Sequence, residues 1–200
     1  GIPYLVRAGV SIERIFTFEK KLTNIKTEDT NFETGDGEFS EIKYNNICFD
    51  STDSEGSSVF SLDNINLTVK KGEIIFIVGG NGSGKSTLLK VMTGLYFPLS
   101  GSIEIDEKDI DTISFRHLFT AVFSDFHLFD RLYGIENINA EKVAKWLKIM
   151  ELSDKLSFTD NCFSTLDLST GQKKRLAMIA TIMDDKPIYV FDEWAADQAP

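Results

Sequence analysis

Between Glu73 and Leu89 the chain reads EIIFIVGGNGSGKSTLL: an apolar run, a glycine-rich turn, then helical spacing. No other stretch narrows the fold so far. Gly79, Gly84, Lys85 and Ser86 satisfy G-x-x-x-x-G-K-[ST]. In such a turn backbone N–H groups curl around phosphates, and the helix that follows adds the partial positive charge of its N-terminus. The cradle comprises Gly79, Gly80, Asn81, Gly82, Ser83, Gly84, Lys85, Ser86 and Thr87. The preceding run lacks polar alternation, as expected of a strand buried on both faces. Lys85 is placed to reach the β- and γ-phosphates of a nucleotide, and Ser86 to hold Mg2+. A merely structural turn needs neither the lysine nor the hydroxyl.

A second apolar run, PIYVFDE (Pro187 to Glu193), ends in two carboxylates. Asp192 fits the acid that completes a Mg2+ site opposite a phosphate loop. Glu193, one step further, fits a general base that polarises an attacking water. Alone, two acids after a strand are a weak signal, because solvated carboxylates often end strands. Paired with the phosphate loop they become specific.

The remaining periodicities alternate in type. IKYNNICF (42–49), LDNINLTV (62–69), GSIEID (101–106) and TAVFSD (120–125) read as strands, and 51–58 reads as a loop. Helical spacing appears after the phosphate loop, in AEKVAKWLKIMEL (140–152) and in QKKRLAMIATIM (172–183). Strands alternating with helices imply an α/β core with a mostly parallel sheet. A chain of 200 residues supports one domain with a sizeable core. The net charge of −10 argues against a broad nucleic-acid surface. The two cysteines, Cys48 and Cys162, lack metal-site spacing.

The opening, GIPYLVRAGVSIERIFTFEKKL, has Leu5, Ala8, Ile12, Ile15 and Leu22 on one helical face. It reads either as an amphipathic packing helix or as the cytoplasmic end of a helix leaving a membrane, with basic residues on the inner side. Residues 23–40 are polar, acidic and aperiodic, and read as a linker.

LSTGQKKRLAMIA, Leu168 to Ala180, poses a separate question. It is a second Ser/Gly turn on a helix start. A protein with one phosphate loop needs no second cradle for its own nucleotide. Here the chain resembles the ATP-binding cassette (ABC) proteins, whose LSGGQ signature LSTGQ matches except for Thr170. Residues 42–200 resemble the ATP-binding domain of cyclic-peptide and siderophore exporters, the pyoverdine and syringomycin export family. That likeness rests on INLTVKKGEIIFIVGGNGSGKSTLLKVMTGLYFPLSG, LFTAVFSDFHLFD, LSTGQKKRLAMI and FDEWAADQ.

The resemblance implies a P-loop NTPase fold. Its parts are a RecA-like, mostly parallel sheet, an antiparallel β subdomain and a small helical subdomain at about 125–180. It implies the end of the last transmembrane helix and a linker over 1–36, and an ABC ATP-binding domain over 37–200. ATP and Mg2+ are the implied ligands, with Ser86 and Asp192 at the metal and Glu193 as the catalytic base. Ser169, Thr170, Gly171 and Gln172 would meet the γ-phosphate of a nucleotide bound by a second copy, head to tail. A fused or associated transmembrane domain is the other implied partner, nucleic acid is not, and the domain would sit on the cytoplasmic side of the cell inner membrane.

Three positions depart from the family pattern. Ser51 stands where an aromatic usually stacks on adenine, Ser124 (beside Asp125) where a glutamine touches Mg2+, and Ala199 where the loop after the carboxylate pair carries an aspartate. The family's switch histidine lies downstream of that pair, whereas His117 and His127 are both upstream. The expectation is a domain truncated at its C-terminus, without its last core strands, that binds ATP and hydrolyses it poorly alone. The alternatives are a soluble ABC ATPase without a membrane domain and a binding module whose ATPase has decayed.

Overall fold

The structure, a computed structural model, describes residues 39–52, 58–135 and 137–193. The opening amphipathic segment, most of the linker and Ala199 lie outside the described residues. Two long strands, β1 (Glu41–Thr52) and β2 (Ser58–Lys70), form an antiparallel pair. β3 (Ser100–Ile105) joins the other edge of β1, and β4 (Lys108–Ile110) follows it, giving the order β2-β1-β3-β4. The strands run further than the sequence pattern implied, with β1 reaching Thr52 and β2 starting at Ser58.

β1 buries Ile42, Tyr44 and Ile47. A spacing of three would turn Ile47 to the opposite face of a regular strand. Register shifts on both sides of β1, with Asn46 at φ 51°, bring it back inward. These side chains pack with Val91 and Met92 of α1 (Lys85–Met92), and with Ile103, Phe115 and Leu118. The antiparallel sheet thereby holds the helix that opens at the phosphate loop. The Tyr44 hydroxyl donates to the Met92 carbonyl at 2.8 Å inside this core, and burial pushes its pKa well above the ordinary value. Tyr44→Phe leaves that carbonyl unpaired. It is expected to cost about 1–3 kcal/mol, read as a lower urea midpoint with an unchanged slope.

β5 (Phe119–Val122) and β8 (Ile188–Phe191) pair in parallel. A second apolar cluster lies around α2 (Ala140–Ile149), a short hairpin of β6 (Phe158–Thr159) and β7 (Cys162–Phe163), and α3 (Thr170–Asp184). Val143, Leu147, Leu152, Leu176 and Ile179 form its centre. Both helix starts are capped: Asn139 accepts from the Lys142 N–H, and Ser169 from that of Gln172.

One expectation is corrected. The run EIIFIVGG is not a strand here: residues 73–80 pair with no strand among the described residues, and Ile74, Phe76 and Val78 are 80%, 83% and 87% exposed. A two-face-buried strand needs neighbours along its edges. Here β5 and β8 pair with each other, while the run lines an open cleft of about 1220 Å3 shared with Ile188, Tyr189 and Phe191. Among the described residues no helix is long and apolar enough to cross a membrane.

Candidate functional site

The phosphate loop is a chain of close approaches. Gly84 is the N-cap of α1 and sits at φ 87°, in the left-handed region. A Cβ there would come within 2.8 Å of Cε2 of Phe60 and closer still to Cζ. A Cβ on Gly79 would lie 2.6 Å from the Ser83 hydroxyl. Glycine is thus required at position 84 by dihedral and by space. Lys85 folds back over the loop, donating to the carbonyls of Gly79 (3.1 Å) and Gly80 (2.9 Å). Its charge is held above the loop rather than released to solvent.

Lys85, Asp192 and Glu193 share the wall of one cavity of about 340 Å3. The two motifs, which stand more than a hundred residues apart in the chain, meet there. β8 delivers Asp192 buried, 4% exposed, with its N–H donating to the Val122 carbonyl at 2.9 Å. Among the described residues its carboxylate accepts a single long bond, from the Ser124 N–H at 3.4 Å. A buried carboxylate so weakly partnered fits a cation. Asp192 and Ser86 are the two sequence-predicted residues whose hard oxygens suit Mg2+, but only Asp192 lines the Lys85 cavity and Ser86 does not. Among the described residues no cluster of three or more His, Cys, Asp or Glu could hold a metal by itself.

Glu193 is exposed and takes φ 50°, unusual for a residue with a side chain. Lys174 of α3, 5% exposed, donates from Nζ to the Glu193 carbonyl at 3.0 Å. This lysine was missed by motif reading. A signal was available, since position 174 falls on the same helical stripe as Ala177 and Thr181, both buried. Of the departures from the family pattern, Ser124 lies against Asp192, whereas Asp125 points its carboxylate to Lys90 at 3.4 Å and is largely exposed.

The Ser169 turn is built differently from the phosphate loop. The Ser169 Oγ accepts from the Gln172 N–H at 3.4 Å, and Gln172 Oε1 accepts from the Ser169 N–H at 2.9 Å. This reciprocal pair fixes the start of α3. Thr170 and Gly171 open the first turn, with Ser169 and Thr170 exposed. None of the four lines the Lys85 cavity. Within one chain the two helix starts are separate sites. His127 packs edge-on against Phe129, outside the Lys85 cavity.

Comparison with known proteins bears on the family of the chain. The ABC transporter family matches residues 62–196. The chain is 45% identical over 166 residues to the ATP-binding protein SyrD of Pseudomonas syringae pv. syringae, covering 80% of this chain and 29% of that one. It is 32% identical to the nisin transport ATP-binding protein NisT of Lactococcus lactis subsp. lactis, covering 100% of this chain and 36% of that one. A bacterial Atm1-family ABC exporter solved with ATP bound superposes with a TM-score of 0.65 at 27% identity, over 80% of this chain and 30% of that one. The chain spans about a third of the length of these relatives. With more than half its residues matched, the chain belongs to the ABC transporter family.

Proposed function

We propose that this chain is the ATP-binding and ATP-hydrolysing domain of an exporter that moves a cyclic peptide, another peptide or a siderophore across the inner membrane from the cytoplasmic side. The observation that carries the reading is the pair of phosphate-type helix starts, of which one alone lines the Lys85 cavity. The Ser169–Gln172 turn is then free to meet a nucleotide held by the phosphate loop of a second copy. The likeness to an Atm1-family ABC exporter supports the exporter class, and the name of NisT, a nisin transport ATP-binding protein, supports a transport role.

In this reading Lys85 leaves the Gly79 and Gly80 carbonyls and binds the β- and γ-phosphates, joined by the backbone N–H groups at the start of α1. Ser86 and Asp192 hold Mg2+, which when bound neutralises charge on the phosphates. Glu193 takes a proton from the water that attacks the γ-phosphate. Ser169 and Gly171 of the opposite copy touch that phosphate only in the closed pair. ATP therefore shifts the population toward closure, and hydrolysis removes the bridge. A transmembrane domain associated with the chain carries the motion to the cargo.

Hydrogen exchange on the full-length protein tests the sandwich. Trapping with ATP and vanadate is expected to slow exchange at Gly79–Thr87 and at Ser169–Gln172 together. Protection confined to the phosphate loop would leave a nucleotide site without a twin, and would sink the dimeric mechanism.

A further inference from the structure

Three consecutive basic residues follow the Ser169 turn on α3, and they are placed differently. Lys173 is exposed, Arg175 donates to the Met150 carbonyl at 2.8 Å, and Lys174 is buried. An ammonium taken out of water needs hydrogen-bond acceptors in exchange. Lys174 Nζ donates to the Glu193 carbonyl at 3.0 Å. Glu193 lines the Lys85 cavity, whereas Lys174 does not. The lysine therefore bears on the site through the Glu193 backbone rather than through a ligand. We infer that Lys174 is a positioning residue, which holds the backbone of Glu193 so that its carboxylate stays at the cavity. This rests on Glu193 acting as the base, as proposed above.

The end of β8 needs such a tether. Strand pairing stops at Phe191, opposite Val122. Asp192 is still fixed, because its N–H donates to the Val122 carbonyl at 2.9 Å. Glu193 lies one residue beyond, with φ 50°. A residue with a side chain keeps that conformation only where its surroundings impose it. The Lys174 bond imposes it from α3. Lys174 stands one helical turn after Thr170, on the same face of the helix. The reciprocal bonds of Ser169 and Gln172 fix where that helix begins, and so where Nζ lies. Released from the lysine, Glu193 relaxes to negative φ and its carboxylate swings with the backbone. A base must sit within hydrogen-bond reach of its water, and a misplacement of about 1 Å costs about 100-fold.

ATP binding and turnover of the full-length protein test the assignment. Lys174→Met keeps the apolar stem and removes the donor. It is expected to lower kcat about 10- to 100-fold and to leave the ATP dissociation constant within about 2-fold. Added to Glu193→Gln, the same substitution is expected to cause no further loss of the residual turnover, because the group it positions is already gone. Lys174→Arg keeps a charged donor and is expected to retain most of the turnover. A rise in the ATP dissociation constant that matches the fall in kcat would overturn the inference, since the lysine would then shape the nucleotide site at large. An unchanged kcat, or an equal fractional loss in the Glu193→Gln background, would overturn it too. If Lys174→Met does not fold, Lys174→Arg carries the test: turnover retained, or a loss that vanishes in the Glu193→Gln background, is the expected result, and a loss that persists there overturns the inference. Full turnover by Glu193→Gln itself would instead remove the base assignment beneath it.

Discussion

Glu193→Gln in the full-length protein is expected to lower ATP turnover by about 100-fold or more, the range general-base removal commonly covers. ATP affinity should stay within about 2-fold, because the lost group acts on water in the transition state rather than on bound nucleotide. The substitution is close to isosteric and removes the negative charge. Glu193 faces the Lys85 cavity from the end of β8, and its backbone is tied to α3 through Lys174. The glutamine should therefore occupy the same place without accepting the proton. ATP-bound pairs should accumulate, visible as a nucleotide-dependent shift in size of the isolated ATP-binding domains taken from the full-length protein by a specific protease. Loss of ATP binding in this variant would show that Glu193 is a ligand-holding residue instead.

Lys85→Ala acts on the opposite quantity. Its ammonium already bonds two loop carbonyls, so a partner change on binding costs little reorganisation. Removing a charged donor from phosphate contact is expected to raise the dissociation constant for ATP about 10- to 150-fold, measured by calorimetry on the full-length protein. Turnover at saturating ATP should also fall, because the same charge stabilises the leaving phosphate. Unchanged affinity would mean that the lysine stays folded over its own loop and takes no part in binding.

The two variants probe residues that sequence motifs singled out. That Lys85, Asp192 and Glu193 would share one cavity could be anticipated, because phosphate binding demands specific atoms at specific spacing and short motifs record such demands. The strands β1, β2 and β3 were legible because one face of each is apolar. What was not legible had no local record. The EIIFIVGG run has the composition of a buried strand, but composition does not state which strands will flank it, and here none does. Lys174 looked like one of three consecutive basic residues (Lys173, Lys174, Arg175), and only its position on the helical stripe separates it from a solvated neighbour.

Ile74, Phe76 and Val78 carry a consequence for handling the protein. An exposed apolar stretch that pairs with no strand among the described residues offers its backbone to any extended stretch that meets it. In concentrated solution the readiest one is the same stretch on another copy, and the product is aggregate rather than the ordered pair that ATP would assemble. The mutual repulsion of chains that each carry a charge of −10 opposes this clumping, and salt screens that repulsion. Low ionic strength is therefore the kinder condition for the 200-residue chain.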